Sequence, residues 1–226
     1  IKGNTVVEGK VFNDDGTVKE TTGGVYGGGD ESSVNHDTKV DIQATAAAGV
    51  LNVYGGGNTA DVLGKADVVM TGGTVSQDIY GGGRGETTTV SGNVTVNIGA
   101  KDDGTGDLTG SGTVQGSVYG GSALGDVNAT KEDGYNFYTD SSTKIGYTPE
   151  TETKINIYAG TVNKNVFGGG RGDLLSLGTG HSDYDARNFG PTSVIMEGGT
   201  IGTAVFGGSN VNGVLKDKST VTITGG

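Results

Sequence analysis

Pairs of apolar residues two positions apart recur along the whole chain. They are VDI at 40–42, VVM at 68–70, VNI at 96–98, INI at 155–157, VIM at 194–196 and VTI at 221–223. Residues two apart lie on the same face of a β-strand. No segment has a sustained apolar period of about 3.6 residues with helix caps, so the pattern predicts an all-β chain.

These three-residue motifs are called the strand words below. Two further short motifs, also called words, alternate with them. An aliphatic-aromatic-glycine word occurs six times: VYGGG at 25–29, VYGGG at 53–57, IYGGG at 79–83, VYGGS at 118–122, VFGGG at 166–170 and VFGGS at 205–209. A glycine-threonine-aliphatic word occurs at 72–75, 112–114, 160–162 and 198–201. Each unit therefore reads as a strand, a glycine turn, a short strand with the aromatic residue, and a loop.

The strand word sets the length of the repeat. Its successive copies are 28, 28, 59, 39 and 27 residues apart, and the larger steps contain insertions near 100–111, 130–152 and 174–191. Without the insertions the unit has about 28 residues, too few to bury its own apolar side chains. Stacked coils pair their backbones at about 4.8 Å and place like residues over like. We therefore predict a parallel β-helix, or β-solenoid, of about six coils.

The three words together resemble the right-handed parallel β-helix repeats of secreted, adhesin-like bacterial and archaeal surface proteins. The resemblance covers residues 20–226, which are predicted to form a single domain, and residues 1–19 are interpreted as a degenerate first coil or a cap. It implies an architecture more than an activity, because the same fold class includes adhesins, autotransporter passengers, polysaccharide lyases and phage tailspikes.

Stacking of equivalent residues predicts a ladder of six aromatic rings. The aliphatic residue of each word is expected to face the interior, so the aromatic residue next to it faces the other way. A ladder of this kind either stabilises the stack or, if exposed, offers a platform for sugar rings. We favour the structural role, because like-over-like stacking is its general use. The six residues are Tyr26, Tyr54, Tyr80, Tyr119, Phe167 and Phe206.

Acidic residues near the glycine words and in the first insertion are candidate calcium ligands. Calcium is a hard ion that takes six to eight oxygen ligands. The spacing of these acids is irregular and does not match a known calcium loop, so a solvated acidic face is the simpler interpretation. The candidates are Asp102, Asp103, Asp107, Asp126 and Asp173.

Charge and composition exclude several partners. The formal net charge is −11 with a pI near 4.5, so the chain lacks the basic surface that nucleic acids require. No apolar run approaches the roughly 20 residues of a membrane-spanning helix, which predicts no membrane insertion. The 47 glycines follow no collagen-like period, and the absence of Cys removes disulfides and thiol chemistry.

Catalytic candidates are few. His36 and His181 fit no triad or metal-ligand spacing. The resemblance to β-helix polysaccharide lyases would implicate Asp183, Asp185 and Arg187, but proximity in a loop does not make a catalytic site. The tripeptide Arg171-Gly172-Asp173 matches an integrin-binding motif, yet Glu86 and Asp126 occupy the equivalent acid position in sibling repeats. We therefore interpret the tripeptide as part of the repeat.

These observations predict a non-enzymatic protein of the cell exterior. The expected function is a stalk, adhesin or fibre subunit that presents the insertions on a rigid solenoid. The final word, VTITGG at 221–226, has no polar cap after it, so end-to-end self-association into filaments is expected. A host surface or a polysaccharide is the other expected partner. The alternative is a carbohydrate-binding or polysaccharide-lyase-like β-helix protein.

Overall fold

The computed structural model describes residues 5–8, 22–43, 50–133, 144–173 and 185–226. Within these ranges the chain is all-β, with short strands joined by turns and no α-helix. No helix in these ranges is long and apolar enough to cross a lipid bilayer. The strands lie in three parallel sheets and two antiparallel hairpins. The predicted all-β fold with parallel sheets is confirmed.

The strand words form the first sheet. Its strands, in spatial order, are β1 (Thr5–Glu8), β3 (Thr38–Ile42), β5 (Ala66–Met70), β9 (Val94–Ile98), β17 (Thr153–Ile157), β21 (Thr192–Met196) and β25 (Ser219–Ile223). Equivalent residues of successive words pair with each other, as Val40 with Val68 and Val68 with Val96. The same register holds across the largest step, where Val96 pairs with Ile155. The insertion therefore leaves the pairing unchanged.

The two-residue period explains which side chains the first sheet buries. In β3, β5, β9 and β21, buried residues alternate with half-buried ones. Val40, Val68, Val96 and Ile155 are fully buried and belong to one continuous apolar core. Burying a side chain of this size contributes about 1.5–3 kcal/mol. At each inward-facing position of the strand, the equivalent residues of successive repeats thus form one apolar column of the core.

The other two words form the second sheet. The aromatic words give β2 (Thr22–Tyr26), β4 (Val50–Tyr54), β7 (Ile79–Tyr80), β13 (Val118–Tyr119), β19 (Asn165–Phe167) and β23 (Ala204–Phe206). The glycine-threonine words give β6 (Thr74–Val75), β12 (Thr113–Val114), β18 (Thr161–Val162) and β22 (Thr200–Ile201). Strand β4 pairs with both sets of strands, because Val53 pairs with Ile79 of β7 while Val50 pairs with Val75 of β6.

A third sheet lies where the sequence pattern predicted only a loop. It contains β8 (Thr89–Val90), β14 (Asp126–Val127), β20 (Arg187–Asn188) and β24 (Val214–Leu215). Isolated bridges extend its column from Val90 to Val62 and Val34. These valines and Val127 are buried in a second apolar cluster. In three repeats a valine stands nine residues after the aliphatic residue of the aromatic word, a signal that could have revealed this column.

Two of the predicted insertions contain antiparallel hairpins. The first hairpin pairs β10 (Ala100–Lys101) with β11 (Leu108–Thr109), and the second pairs β15 (Ala129–Lys131) with β16 (Ile145–Tyr147). Much of the insertion predicted at 174–191 lies outside the described residues, as does most of the predicted cap at 1–19. The part of that insertion at 187–188 forms β20 and thus belongs to the stack of repeats.

The glycines of the aromatic words allow successive repeats to approach closely. None of these glycines has a positive φ. A Cβ on Gly55 would collide with the carbonyl oxygen of Gly81, and one on Gly168 with that of Gly207. Three of the glycine-threonine words do contain a glycine with a positive φ, at Gly73, Gly160 and Gly199. Glycine is needed in the aromatic word because any side chain would separate the backbones.

We expect Gly121→Ala to lower the free energy of unfolding by about 2 kcal/mol, in the range typical of overpacking. The added Cβ would lie 2.6 Å from the amide nitrogen of Gly170, which is held in the neighbouring repeat. Urea unfolding followed by circular dichroism measures the loss. Gly208→Ala is the matched control, because it changes the same position of the last word and nothing lies within 4 Å of the new Cβ. Equal losses in both variants would contradict this account.

Candidate functional site

The six aromatic residues form one continuous stack. Neighbouring ring centroids are 4.8–5.1 Å apart, and the ring planes are tilted by 4–9° relative to each other. This spacing follows from the parallel pairing of the second sheet, which places Tyr54 opposite Tyr80 and Tyr119 opposite Phe167. The aliphatic residue of each word points into the core while the ring points away from it.

The inner rings of the stack are covered. Tyr80 is 2% exposed, and Tyr54, Tyr119 and Phe167 are also buried, with Ala123 and Leu124 packed against the cluster. Tyr26 at one end is half-buried, and Phe206 at the other end is 46% exposed. A platform for sugar rings requires open ring faces. In this stack each inner face is occupied by the next ring, so the ladder packs the repeats together.

Polar side chains bind the hydroxyl edge of the ladder. Tyr80 donates a hydrogen bond to Asp78 Oδ2 at 3.2 Å, and Asn210 Nδ2 donates to the Tyr119 hydroxyl at 3.1 Å. The Arg171 guanidinium interacts with the Tyr80 hydroxyl. Arg84, which has the same place in its repeat, interacts with Tyr26. In three of the six words, the residue that follows the word thus contacts a ring of an earlier repeat; these residues are Arg84, Arg171 and Asn210.

This geometry gives Arg171-Gly172-Asp173 a structural role. The Arg171 amide donates to the Ser122 carbonyl at 3.1 Å, and the Gly172 amide donates to the Ala123 carbonyl at 2.8 Å. Gly172 has a φ of 71°, a conformation that favours glycine. The Arg171 side chain is directed to the tyrosine ladder. The tripeptide is therefore fixed to neighbouring repeats by its backbone and its arginine, as expected of a repeat word.

Burial keeps the ladder tyrosines in their neutral form. Removal from water raises the pKa of Tyr54 to about 12, with the Tyr26 phenol contributing to the rise. The pKa of Tyr80 is raised further, because burial acts together with the neighbouring Asp78 carboxylate. An ionised phenol in the stack would lose its hydration without a full compensating charge. Alkaline pH therefore opposes the packing of the ladder.

A buried ion pair links the third sheet across two repeats. Arg187 Nε donates to Asp126 Oδ1 at 2.8 Å and Arg187 Nη2 donates to Asp126 Oδ2 at 2.7 Å. Both side chains are 6% exposed. The Arg187 guanidinium also lies 5.5 Å from the centre of the Phe189 ring. Burial raises the pKa of Asp126, and the arginine opposes this by favouring the carboxylate.

The ion pair changes the interpretation of two predicted sites. Asp126 was a candidate calcium ligand, but both of its oxygens accept hydrogen bonds from Arg187. Arg187 was the basic residue of the lyase-like set, but it is buried rather than placed on an open face. Asp185 lies 3.9 Å from Arg187 Nε, while Asp183 and His181 fall outside the described residues. His36 is exposed.

The other calcium candidates do not converge in the described part of the chain. Asp102 Oδ1 accepts hydrogen bonds from the amides of Gly104 and Thr105, which lowers the pKa of Asp102 and forms a tight turn in the first hairpin. Asp103 and Asp107 lie exposed in the same hairpin, and Asp173 is half-buried. Among the described residues, no three acidic or imidazole side chains are close enough to hold a metal ion.

A column of polar side chains that the sequence did not reveal fixes the register of the second sheet. The Asp78 amide donates to Asn52 Oδ1 at 3.1 Å, and the Ser117 amide donates to Asp78 Oδ1 at 2.7 Å. The Asn165 amide then donates to Ser117 Oγ at 3.3 Å. Each residue stands directly before the aliphatic residue of an aromatic word. A slip of register would break all of these bonds together.

Comparisons of the chain with protein-family models, with curated proteins and with solved structures found no match. The function has to be inferred from the geometry of the chain itself.

We expect Asp126→Ala to destabilise the protein by about 3–5 kcal/mol, because it leaves the buried guanidinium without its bidentate partner. The double variant Asp126→Leu with Arg187→Met should recover most of this loss, since apolar residues of similar size can replace a buried pair. Urea unfolding gives both values.

The matched control is Lys39→Ala, which removes an ion pair whose lysine is 44% exposed. We expect it to cost less than about 1 kcal/mol. If Asp126→Ala lowers the free energy of unfolding as little as the control does, the proposed stabilising contribution of the buried pair is wrong.

The raised pKa of Tyr54 predicts a loss of stability at high pH. A folded pKa of about 12 against an ordinary value of 10.0 gives a contribution that is complete below pH 10 and lost as pH rises toward 12. The melting temperature should therefore fall as the pH rises from about 10 to about 12. It should fall less in Tyr54→Phe, which keeps the ring and removes the ionising group. The same fall in both proteins would refute the assignment.

Proposed function

We propose that the chain is a structural segment of a secreted or cell-surface β-solenoid, acting as a stalk, adhesin or fibre subunit. The observation that carries the proposal is the constant register of the first sheet. Equivalent residues pair across steps of 28, 59, 39 and 27 residues alike. The chain thus conserves the geometry of the stack and varies what lies between the strands. Constant strand pairing with variable connecting segments is typical of a scaffold that displays loops.

Rigidity supports the scaffold role. Backbone hydrogen bonds, the aromatic ladder and the polar column all connect one repeat to the next, so neighbouring repeats cannot move apart without losing several interactions at once. The interior is filled by valine, isoleucine and methionine columns, many of them fully buried. A stiff rod holds an attached surface at a defined distance, which is what a stalk or a fibre subunit has to do.

The insertions are the proposed recognition elements. The β10–β11 hairpin leaves the stack directly after β9, and the β15–β16 hairpin leaves directly after β14. Each adds an antiparallel unit that does not belong to the three parallel sheets. A host surface or a polysaccharide is the partner class proposed for such loops, because variation in them does not disturb the core.

Exposure at the last repeat supports the proposed self-association. Phe206 is 46% exposed, whereas the equivalent Phe167 is 5% exposed. Ile223 is 59% exposed, whereas the equivalent Ile157 is fully buried. Pairing of β25 with a strand of a second copy would bury these side chains and extend the first sheet by one strand. The core at the opposite end is already buried at Val25, Val34 and Val40, so the contact we propose starts from the open end.

The alternative, a carbohydrate-binding or lyase-like protein that uses the ladder or Arg187, has less support. The rings are stacked on each other and covered, and the arginine is engaged by Asp126. Among the described residues these two features serve packing.

The test of the proposed self-association is sedimentation and electron microscopy of the purified chain at micromolar concentrations. We expect oligomers or filaments whose mass grows with concentration. The double variant Val221→Thr with Ile223→Thr should shift the distribution to monomer, because it removes apolar area from the open end while keeping strand-forming residues. Thr222→Ser, on the opposite face of the same strand, should behave like the wild type. A wild-type chain that stays monomeric throughout would overturn the self-association.

A further inference from the structure

A cavity of about 270 Å³ lies on the outer side of the third sheet, next to the second hairpin. Its volume is slightly below the roughly 300–1,000 Å³ typical of small-molecule pockets. Asp61 and Thr89 are neighbours in the third-sheet column, and both side chains point away from the valine core because Val62 and Val90 point into it. Its lining residues are Asp61, Leu63, Thr89, Ser91, Thr130, Lys131, Glu132 and Asp133.

One buried side chain in the cavity lining lacks a partner within the described part of the chain. Thr89 is 2% exposed, and its hydroxyl oxygen makes no hydrogen bond with any described group. Buried hydroxyl groups are nearly always hydrogen-bonded, because an unsatisfied one costs about 1–3 kcal/mol. An unsatisfied polar group beside a cavity is therefore a sign that the cavity receives a ligand.

The cavity offers mainly hydrogen-bond acceptors. Among the described residues of its lining, the one cation is Lys131, which already donates to Asp61 Oδ1 at 2.6 Å and to the Thr87 carbonyl at 2.7 Å. The second oxygen of Asp61 has no hydrogen bond within the described part of the chain, and Glu132 and Asp133 form no ion pair there. The hydroxyls of Thr89 and Ser91 also accept hydrogen bonds. A complementary ligand therefore has to supply hydrogen-bond donors.

Charge restricts the ligand further. The described lining of the cavity has three carboxylates and one ammonium, and the whole chain has a net charge of −11. Anions are repelled by this field and small cations are concentrated in it. A bare metal ion does not fit, because no three acidic side chains among the described residues converge on one point. Acids distributed around a cavity suit a cation that carries several other atoms.

We propose that this cavity binds the primary ammonium group of a small organic molecule, such as an amino sugar or a polyamine. The ammonium donates to the second oxygen of Asp61 and to the hydroxyls of Thr89 and Ser91, while the carboxylates of Glu132 and Asp133 attract its charge and accept hydrogen bonds from the other donors of the ligand. Leu63, which is 54% exposed at the rim, contacts the carbon skeleton of the ligand. This site is separate from the aromatic ladder and from the open end, so it adds a binding activity to the scaffold.

The test compares probes that differ only in charge, by calorimetry with the full chain. Glucosamine carries the ammonium, whereas glucose and N-acetylglucosamine are the neutral analogues. We expect glucosamine to bind at least about tenfold more tightly than either analogue. Its affinity should fall when salt is added. Spermidine and Nα-acetyllysine amide distinguish the sources: tighter binding of spermidine identifies a polyamine site, and tighter binding of glucosamine identifies a saccharide site. Either result supports the ammonium assignment.

Variants separate a specific site from general attraction to an acidic protein. Glu132→Gln with Asp133→Asn should reduce glucosamine affinity by about tenfold, and both positions are exposed, so the fold is retained. Thr89→Val should also weaken binding. The matched control, Asp103→Asn, removes an exposed acid of the other hairpin and should leave binding unchanged. Equal binding of charged and neutral probes, no binding of any probe, or an equal loss in the Asp103 control would each overturn the proposal. None of these results would affect the proposed scaffold role.

Discussion

Everything in this structure depends on the hydrogen bonding of each repeat's backbone to the equivalent residues of the next repeat. Parallel pairing in register places Val40 beside Val68 and Val68 beside Val96, so each apolar column is continuous from repeat to repeat. Because strand pairing fixes the distance between neighbours, one side chain per repeat and position fills the interior. A repeat of this size cannot be stable alone, and its stability comes from its neighbours.

The same constraint determines the local sequence. Two backbones that approach as closely as those at Gly121 and Gly170 leave no room for a Cβ, which is why glycines follow the ring in the aromatic word. The ring that precedes these glycines has to stack, because its neighbours are held at the same spacing. Asp78 has two functions at once: one carboxylate oxygen accepts the Ser117 amide of the next repeat and the other accepts the Tyr80 hydroxyl. Register and ring position are thereby coupled.

The sequence predicted the parts of the fold that repeat with a simple signal. The alternation in 40–42 and its copies predicted the first sheet, and the constant aromatic residue predicted the ring stack. The third sheet was missed because its strands have two residues and its sequence signal is incomplete. A valine at constant spacing from the aromatic word marks only three repeats, and the column then changes from Val127 to Asn188 to Leu215.

The ion pair and the cavity could not be predicted for a different reason. Asp126 and Arg187 are 61 positions apart, and Asp61 and Lys131 are 70 positions apart. Only the paired backbone brings them together. A residue's role here depends on its column, and a column can be read from sequence only when the repeat length is constant. The insertions remove that constancy at the places where the chemistry lies.

The constant register across the insertions has a consequence for how such a chain changes over generations. Val96 and Ile155 are paired as closely as Val68 and Val96, although 59 residues rather than 28 separate them. Lengthening, shortening or replacing the intervening segment therefore requires no compensating substitution in the sheets. The hairpin segments can therefore be replaced, for example by a foreign epitope, whereas substitutions in the strand words have to preserve the pairing and the apolar columns of the sheets.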